Sequence, residues 1–297
     1  MKNYLIYLCY GNDDFLSETL FSILSFYKYH ATANIQVVVY TDNATFFKKF
    51  FSSSIIYNEI SDTKIREWKG QINFIHRTKI MVLKDACQKY AGNLLYVDSD
   101  TIFLQECNLL FKKIENSAIL FDNYEGKLSS ARGGIAKKLR NCFKIQNKFF
   151  VDKQNDYVEF DTNFEIWNAG IIGFQSKLAP VLDKVLDLVD ILYAKFPIFV
   201  MEQMAFNFYF QKLQKPLPTE EYIHHYWYFK EFRLVLNHFF KHNKNKTATE
   251  LIFEIDKIKP ELLSVEKRNY KKKNFLQKQI HKLLHFKKWD IAPYNLD

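Results

Sequence analysis

The sequence predicts an α/β fold: a mostly parallel sheet flanked by helices, followed by a basic helical extension. Three observations carry this. Over the first 120 residues, short apolar, β-branched segments alternate with segments of helical period. The strand-like segments lack polar alternation, as expected of strands covered on both faces. The excess positive charge of the chain lies in one segment near its end.

Residues 4–9 read as a strand, and Leu16, Leu20, Leu24 and Tyr27 then recur at helical spacing, with Asp13 or Asp14 as the cap. Residues 35–40 (IQVVVY) form a near-continuous apolar strand ending in the turn-like Thr41-Asp42-Asn43. A short helix, a strand over 55–60 and a longer helix over 74–90 lead to a strand over 93–97. Residues 117–121 and 170–175 are further strands, whereas 123–160 are polar without a clear period, as in a lid or an acceptor-side insertion. Ser176 is expected to cap a helix carrying Leu178, Leu182, Val185, Val189 and Leu192 on one face. Another helix spans 199–213 and stops before Pro216 and Pro218. From Thr247 onwards the chain reads as helical and separate from the body, which divides it into a domain over 1–240 and a basic amphipathic tail over 241–297.

With 297 residues, 48% hydrophobic and 25% charged, the chain is long enough for a large core and is not a disordered polymer. No apolar run approaches the roughly 18–20 residues that span a bilayer. The start, MKNYLIYLCYGNDDF, lacks the long apolar stretch and cleavage site of a secretory signal, so a cytosolic location is expected. Cys9, Cys87, Cys107 and Cys142 are scattered without a CxxC pair and read as reduced thiols. The net charge is +9, and residues 267–289 hold nine Lys or Arg and no acid, which leaves 33 basic against 33 acidic residues elsewhere. A charge-neutral body is not one built to track nucleic acid.

The sharpest chemical signal is LLYVDSDTIFL. Side chains at i and i+2 of an extended segment point the same way, so Asp98 and Asp100 face one side just past a strand, where open α/β sheets bind ligands. Two carboxylates this close repel unless a proton or a cation lies between them, and a hard divalent ion suits their oxygens and bridges to a diphosphate. An Asp-Ser-Asp turn bonded to local amides is the competing reading; the strand before it favours the metal.

Here the sequence resembles the nucleotide-sugar glycosyltransferases of the GT-A fold, nearest in style to the retaining family 8 enzymes. LLYVDSDTIFL is similar to their D-x-D strand, and Phe164-Glu165-Ile166-Trp167-Asn168-Ala169-Gly170 to their F-N-A-G segment. Met201-Glu202-Gln203-Met204-Ala205-Phe206-Asn207 resembles their D-Q-x-x-x-N helix start, with Glu for Asp. His224-His225-Tyr226-Trp227-Tyr228-Phe229-Lys230 resembles H-[FY]-x-G-x-x-K-P-W, without the Gly and the Pro-Trp. The match runs in order over about residues 1–235.

The resemblance implies a Rossmann-like GT-A sheet and a metal-dependent transfer of sugar from a nucleotide donor, a UDP-sugar, with retention at the anomeric carbon. Asp98, Asp100 and one histidine would hold Mn²⁺ or Mg²⁺, an imidazole tilting the choice toward Mn²⁺. His225 is followed by Tyr as in the family, while His224 has the family's spacing to Lys230, so both stand as candidates. Lys230 would neutralise charge on the departing nucleoside diphosphate. Tyr10, Gly11, Asn12 and Asp42 would touch base and ribose, and Arg77, Lys79 and Ser99 would join the donor site. Asn168, Ala169 and Gly170 would let backbone approach the transferred sugar. Gln203 would lie on its reactive side and Glu202 on its hydroxyls. Should the enzyme invert, Asp161, Glu165 and Glu202 are the candidate bases.

In the tail, Leu276, Ile280, Leu283 and Leu284 share one helical face among lysines, a pattern that fits an anionic membrane surface, at about 1 kcal/mol per lysine. A glycan or lipid-linked acceptor at the inner face of the cytoplasmic membrane, as in lipopolysaccharide or polysaccharide biosynthesis, would explain such a tail. The rivals are an aspartate-nucleophile phosphatase, which places its D-x-D after the first strand, and an RNA- or membrane-binding protein acting through the tail alone.

Overall fold

A computed structural model describes residues 1–30, 34–284 and 288–296. The chain opens with β1 (Asn3–Cys9), α1 (Asp13–Tyr29), β2 (Ile35–Thr41), α2 (Ala44–Lys48) and β3 (Ile55–Glu59). It continues with α3 (Asp62–Lys69), α4 (Arg77–Lys89), β4 (Asn93–Val97), β5 (Thr101–Phe103) and α5 (Asn108–Glu115). Then come β6 (Leu120–Phe121), β7 (Tyr124–Lys127), α6 (Gly134–Ile145), β8 (Lys148–Val151) and β9 (Asp156–Glu159). β10 (Glu165–Trp167), β11 (Ile171–Gln175), α7 (Ala179–Lys195) and α8 (Met201–Leu213) follow. The described chain ends with β12 (Leu217–Pro218), β13 (Ile223–His225), α9 (Phe232–His242), α10 (Ala248–Glu254), α11 (Pro260–Leu263), α12 (Val265–Lys272) and α13 (Phe275–Leu284).

The expected mostly parallel sheet is present, with seven strands in the order β12-β6-β11-β4-β1-β2-β3. β3, β2, β1 and β4 run parallel, β11 lies antiparallel between β4 and β6, and β12 is parallel to β6. Leu5, Ile6 and Tyr7 alternate sides of β1 yet all are buried. One core therefore lies on each face: Ile6, Tyr40, Leu83 and Phe206 on one side, Leu5, Phe21, Phe111 and Phe239 on the other. That is why the strands carry no polar alternation.

Several local expectations are corrected. Asn12, not Asp13 or Asp14, caps α1 by accepting from the Asp14 N–H, and the two acids sit in the first turn, where the helix dipole favours them. α3 has no counterpart among the expected elements; it buries only Ile65 and Trp68, too few positions to display a period. Ser176 accepts from the Gly92 N–H instead of capping a helix, and α7 begins beyond it at Ala179, with Pro180 in its first turn. Ser117 has φ 68° and precedes the strand, which is confined to β6.

Residues 123–160 fold as a hairpin-like β8–β9 pair and α6, whose buried Ala136, Leu139 and Phe143 meet Phe149 and Phe160. The apolar positions are there, but each element is too short for its period to stand out. The segment from Thr247 is helical but not separate from the body. Leu251, Ile255, Ile258 and Leu263 are buried in the core that contains α1. Lys28 on α1 pairs with Asp256 at 2.5 Å. No side chain of α13 is buried.

Candidate active site

Strand pairing assembles the site. The parallel strands β1, β4 and β6 end on the same edge of the sheet, and Tyr10, Asp98 and Asp122 follow them. β11 enters antiparallel beside β4, so the Gly170 carbonyl accepts from the Asp98 N–H at 2.7 Å and Asn168-Ala169-Gly170 lie against the D-x-D turn. β13 pairs antiparallel with β5, His225 opposite Thr101, and the Tyr226 N–H donates to the Asp100 carbonyl at 2.9 Å. Backbone pairing thus sets a histidine 125 residues away in sequence beside Asp100.

The ligand-capable atoms of Asp98, Asp100 and His225 lie within 4.8 Å of one another. His225 Nε2 is 3.2 Å from Asp100 Oδ1 and 4.0 Å from Asp98 Oδ2, while Nδ1 meets the buried Asp122 carboxylate at 2.9 Å. A proton on Nδ1 directed at Asp122 leaves the Nε2 lone pair facing the two aspartates, the arrangement by which a carboxylate orients a metal-binding imidazole. The donor set, two carboxylates and an imidazole, fits Mn²⁺ or Mg²⁺. Burial pushes the His225 pKa down, but Asp100 and Asp122 outweigh it and raise the pKa to about 10, so a cation bound here competes with a proton. For Asp100, burial favours the protonated acid, yet His225 and Lys230 hold the carboxyl well below the usual carboxylate range.

Of the two histidine candidates, His225 joins the cluster. His224 points the other way, its Nε2 3.3 Å from the Tyr228 hydroxyl, and burial with the nearby Arg268 lowers its pKa to about 4. Gly170 explains part of the fit. A Cβ there would lie 2.1 Å from Cε1 of the His225 ring. Gly170→Ala is expected to displace the imidazole, costing about 1–3 kcal/mol of stability and weakening divalent-ion binding, as denaturant titration and calorimetry would read. Unchanged ion affinity would show that the ring can move freely.

Around this cluster, Lys79 of α4 is buried between two acids. Its Nζ lies 2.9 Å from Glu202 and 3.2 Å from Asp98, and donates to the Ala169 carbonyl at 3.0 Å. Burial disfavours its charge, but Asp98 and Glu202 outweigh that and push its pKa above the ordinary lysine value. Tyr96 donates to Asp98 at 2.8 Å. Lys230 meets Asp100 Oδ2 at 2.6 Å from an exposed position. Gln203, in the first turn of α8, donates to Glu125 at 3.0 Å and accepts from the Ala169 N–H at 3.3 Å, and Asn168 donates to Glu125 at 2.9 Å. Asn207 clamps the Trp167 backbone, donating to its carbonyl at 2.9 Å and accepting from its N–H, which fixes β10 to α8.

These groups face a cavity of about 1080 Å³ lined by Tyr10, Lys79, Asp98, Ser99, Asp100, Asn168, Ala169, Gly170, Glu202, Gln203, His225 and Lys230. Its other walls come from Glu125, the 130–136 segment, Phe199, Trp227 and Arg233. Other expected residues lie elsewhere. Arg77 turns away from the cavity, its guanidinium held by Asp190 at 2.7 Å and the Trp68 carbonyl. Asp161 is exposed, and its carboxylate accepts from the Asn163 N–H in its own turn. Glu165 lies on β10 outside the lining. Gly11 and Asn12 form the turn that starts α1; Asp42 ties it down by accepting from the Gly11 N–H at 2.9 Å. Sequence reasoning missed Asp122, Glu125 and Arg233. Asp122 carried a readable signal, an acid directly after a strand, whereas only the fold brings Glu125 and Arg233 to the cavity.

No known family model matches the sequence, and no curated protein matches it. Among solved structures the chain is similar to mouse xyloside xylosyltransferase 1, with 10% identity and a TM-score of 0.47 over 73% of this chain and 85% of that one. It is similar to the galactosyltransferase LgtC in complex with donor and acceptor sugar analogs, with 12% identity and a TM-score of 0.45 over 69% of this chain and 70% of that one. It is also similar to the glycosyltransferase GlyE of Streptococcus pneumoniae TIGR4, with 12% identity and a TM-score of 0.43 over 73% of this chain and 46% of that one.

Proposed function

We propose that this protein is a metal-dependent GT-A glycosyltransferase that moves a sugar from a UDP-sugar to a glycan or lipid-linked acceptor, with retention. The observation that carries the reading is the Asp98–Asp100–His225 cluster at the sheet edge, its imidazole oriented by Asp122 and its open side facing the large cavity. Asp98, Asp100 and His225 would hold Mn²⁺ or Mg²⁺, and the ion when bound would stabilise charge on the leaving diphosphate. Lys230 would add a cation on the same side, where negative charge grows in the transition state. Gln203 and Asn168, cross-linked through Glu125, would present amides to the sugar from a rigid wall, and Glu202, fixed by Lys79, would accept from its hydroxyls. Tyr10 would meet the nucleoside, with Asp42 keeping its turn in place. Catalysis is assigned to residues 1–240.

A thermal-shift screen of nucleotide sugars with and without Mn²⁺ tests this directly. A ligand that binds only the native state raises Tm by mass action, so one UDP-sugar is expected to do so when Mn²⁺ is present. No shift by any nucleotide sugar would overturn the reading.

The tail supports a peripheral site of action on the inner face of the cytoplasmic membrane, in lipopolysaccharide or polysaccharide synthesis. Phe275, Leu276, Ile280 and Leu283 of α13 are 56–87% exposed beside Lys278 and Lys282. Among the described residues no helix is long and apolar enough to cross a membrane; the 285–287 part of the basic segment lies outside the described residues. Lys271 Nζ of α12 sits 5.7 Å from the ring of Trp227, which lines the cavity. The full chain is expected to float with anionic vesicles and a Leu276→Ser, Ile280→Ser, Leu283→Ser variant to stay behind. Equal partitioning would remove the membrane role.

A further inference from the structure

We infer that Arg233 is a second cationic contact to the nucleoside diphosphate and that Glu18 is the positioning residue that aims it. The inference rests on the nucleotide-sugar reading and deepens it at a residue outside the motifs that carry the resemblance. After Lys230 the sequence departs from the family pattern, with Glu231-Phe232 in place of Pro-Trp and Arg233 directly following.

Lys230 lies in the turn just before α9 and Arg233 in its first turn, the Arg233 N–H donating to the Lys230 carbonyl at 3.2 Å. Spaced i and i+3, they lie on one side of that turn, and both line the cavity with Asp98 and Asp100. Each cation has its own carboxylate. Lys230 meets Asp100 at 2.6 Å, and Arg233 meets Glu18 through two parallel bonds, Nε to Oε1 at 3.0 Å and Nη2 to Oε2 at 3.1 Å.

Glu18 itself sits in the second turn of α1, 1% exposed, and does not line the cavity. Arg233 therefore lines the cavity while the carboxylate that grips it lies outside the lining. Its guanidinium also rests 4.9 Å from the Phe15 ring centroid, with Asp14 3.9 Å from Nη1. Glu18 occupies two of its five N–H donors; of the other three, two are on Nη1, which no hydrogen bond ties to Asp14 at 3.9 Å, and one is on Nη2.

The alternative is a plain tie between α1 and α9. A buried ion pair is a poor device for that purpose, because apolar residues of similar volume commonly stabilise as well or better. A planar, always-charged fork locked by a carboxylate is instead the group suited to recognising phosphate.

The test is calorimetric binding of UDP and of UMP to the full chain in Mn²⁺. The wild type is expected to prefer UDP. Arg233→Met is expected to lower UDP affinity on the order of tenfold while changing UMP affinity less, and Arg233→Lys should recover part of the difference. Glu18→Gln alone should move the UDP-to-UMP ratio in the same direction. Because Arg233→Met leaves Glu18 buried without its partner, the Glu18→Gln, Arg233→Met double variant measures the same ratio in a chain with no orphaned charge. A wild-type ratio in both Arg233→Met and the double variant would overturn the inference and leave the pair as a tie between helices. If the wild type binds no nucleoside diphosphate at all, the nucleotide-sugar reading fails first, a result distinct from that one.

Discussion

Asp100→Asn is expected to abolish the proposed metal-dependent sugar transfer and donor hydrolysis while leaving the fold in place. The loss is expected to exceed the roughly 10–100-fold that removal of an outer-shell partner costs a metal site, because Asp100 is the carboxylate shared by His225 and Lys230. The fold survives because the backbone bond that holds β13 here, Tyr226 N–H to the Asp100 carbonyl, does not involve the side chain. The neutral amide keeps the shape and an acceptor for Lys230, yet supplies no charge to a divalent ion. Turnover with and without Mn²⁺, ion binding by calorimetry and the circular dichroism spectrum together check this. Undiminished turnover in a folded variant would end the metal assignment.

Lys79→Met has the second large effect, and it falls on stability. The lysine is buried, it neutralises Glu202 and Asp98 at once, and both carboxylates stay behind when it goes. Removing one partner from a buried charge cluster costs about 3–5 kcal/mol, and here the charge left uncompensated is chiefly that of Glu202, whose side chain is 5% exposed. Denaturant unfolding should record that loss. Adding Glu202→Gln should restore much of it, since the two changes act on one interaction and are not additive. A loss under about 1 kcal/mol, the scale of an exposed ion pair, would mean that solvent reaches the cluster.

Lys79 and Arg77 part company only in the folded chain. Both lie on α4, two residues apart, and nothing local separates them. Two positions on a helix differ by about 200° around the axis, so only one can face the sheet edge. Packing of α4 against α7 decides which: Arg77 goes to Asp190 of α7 and Lys79 to the D-x-D turn. The same holds for His224 and His225, which point to opposite sides of a strand. The β13–β5 register, a long-range pairing, sends His225 to Asp100 and His224 to Tyr228.

By itself the sequence determined the parallel sheet, the order of its main strands and helices, the D-x-D turn at a strand end and the amide-bearing segments around Asn168 and Gln203. The sheet, the element order and the turn are written in local periodicity and in residue spacing, which act over a few neighbours along the chain, whereas the segments around Asn168 and Gln203 are marked only by the family resemblance. The tertiary structure alone decided that Asp122 orients the histidine, that Glu125 links Asn168 to Gln203, that Arg233 faces the cavity, and that the chain after Thr247 packs onto α1. The reason is physical. Each of these contacts joins residues about 40 or more positions apart, and their geometry is set by strand register and helix packing across the two cores.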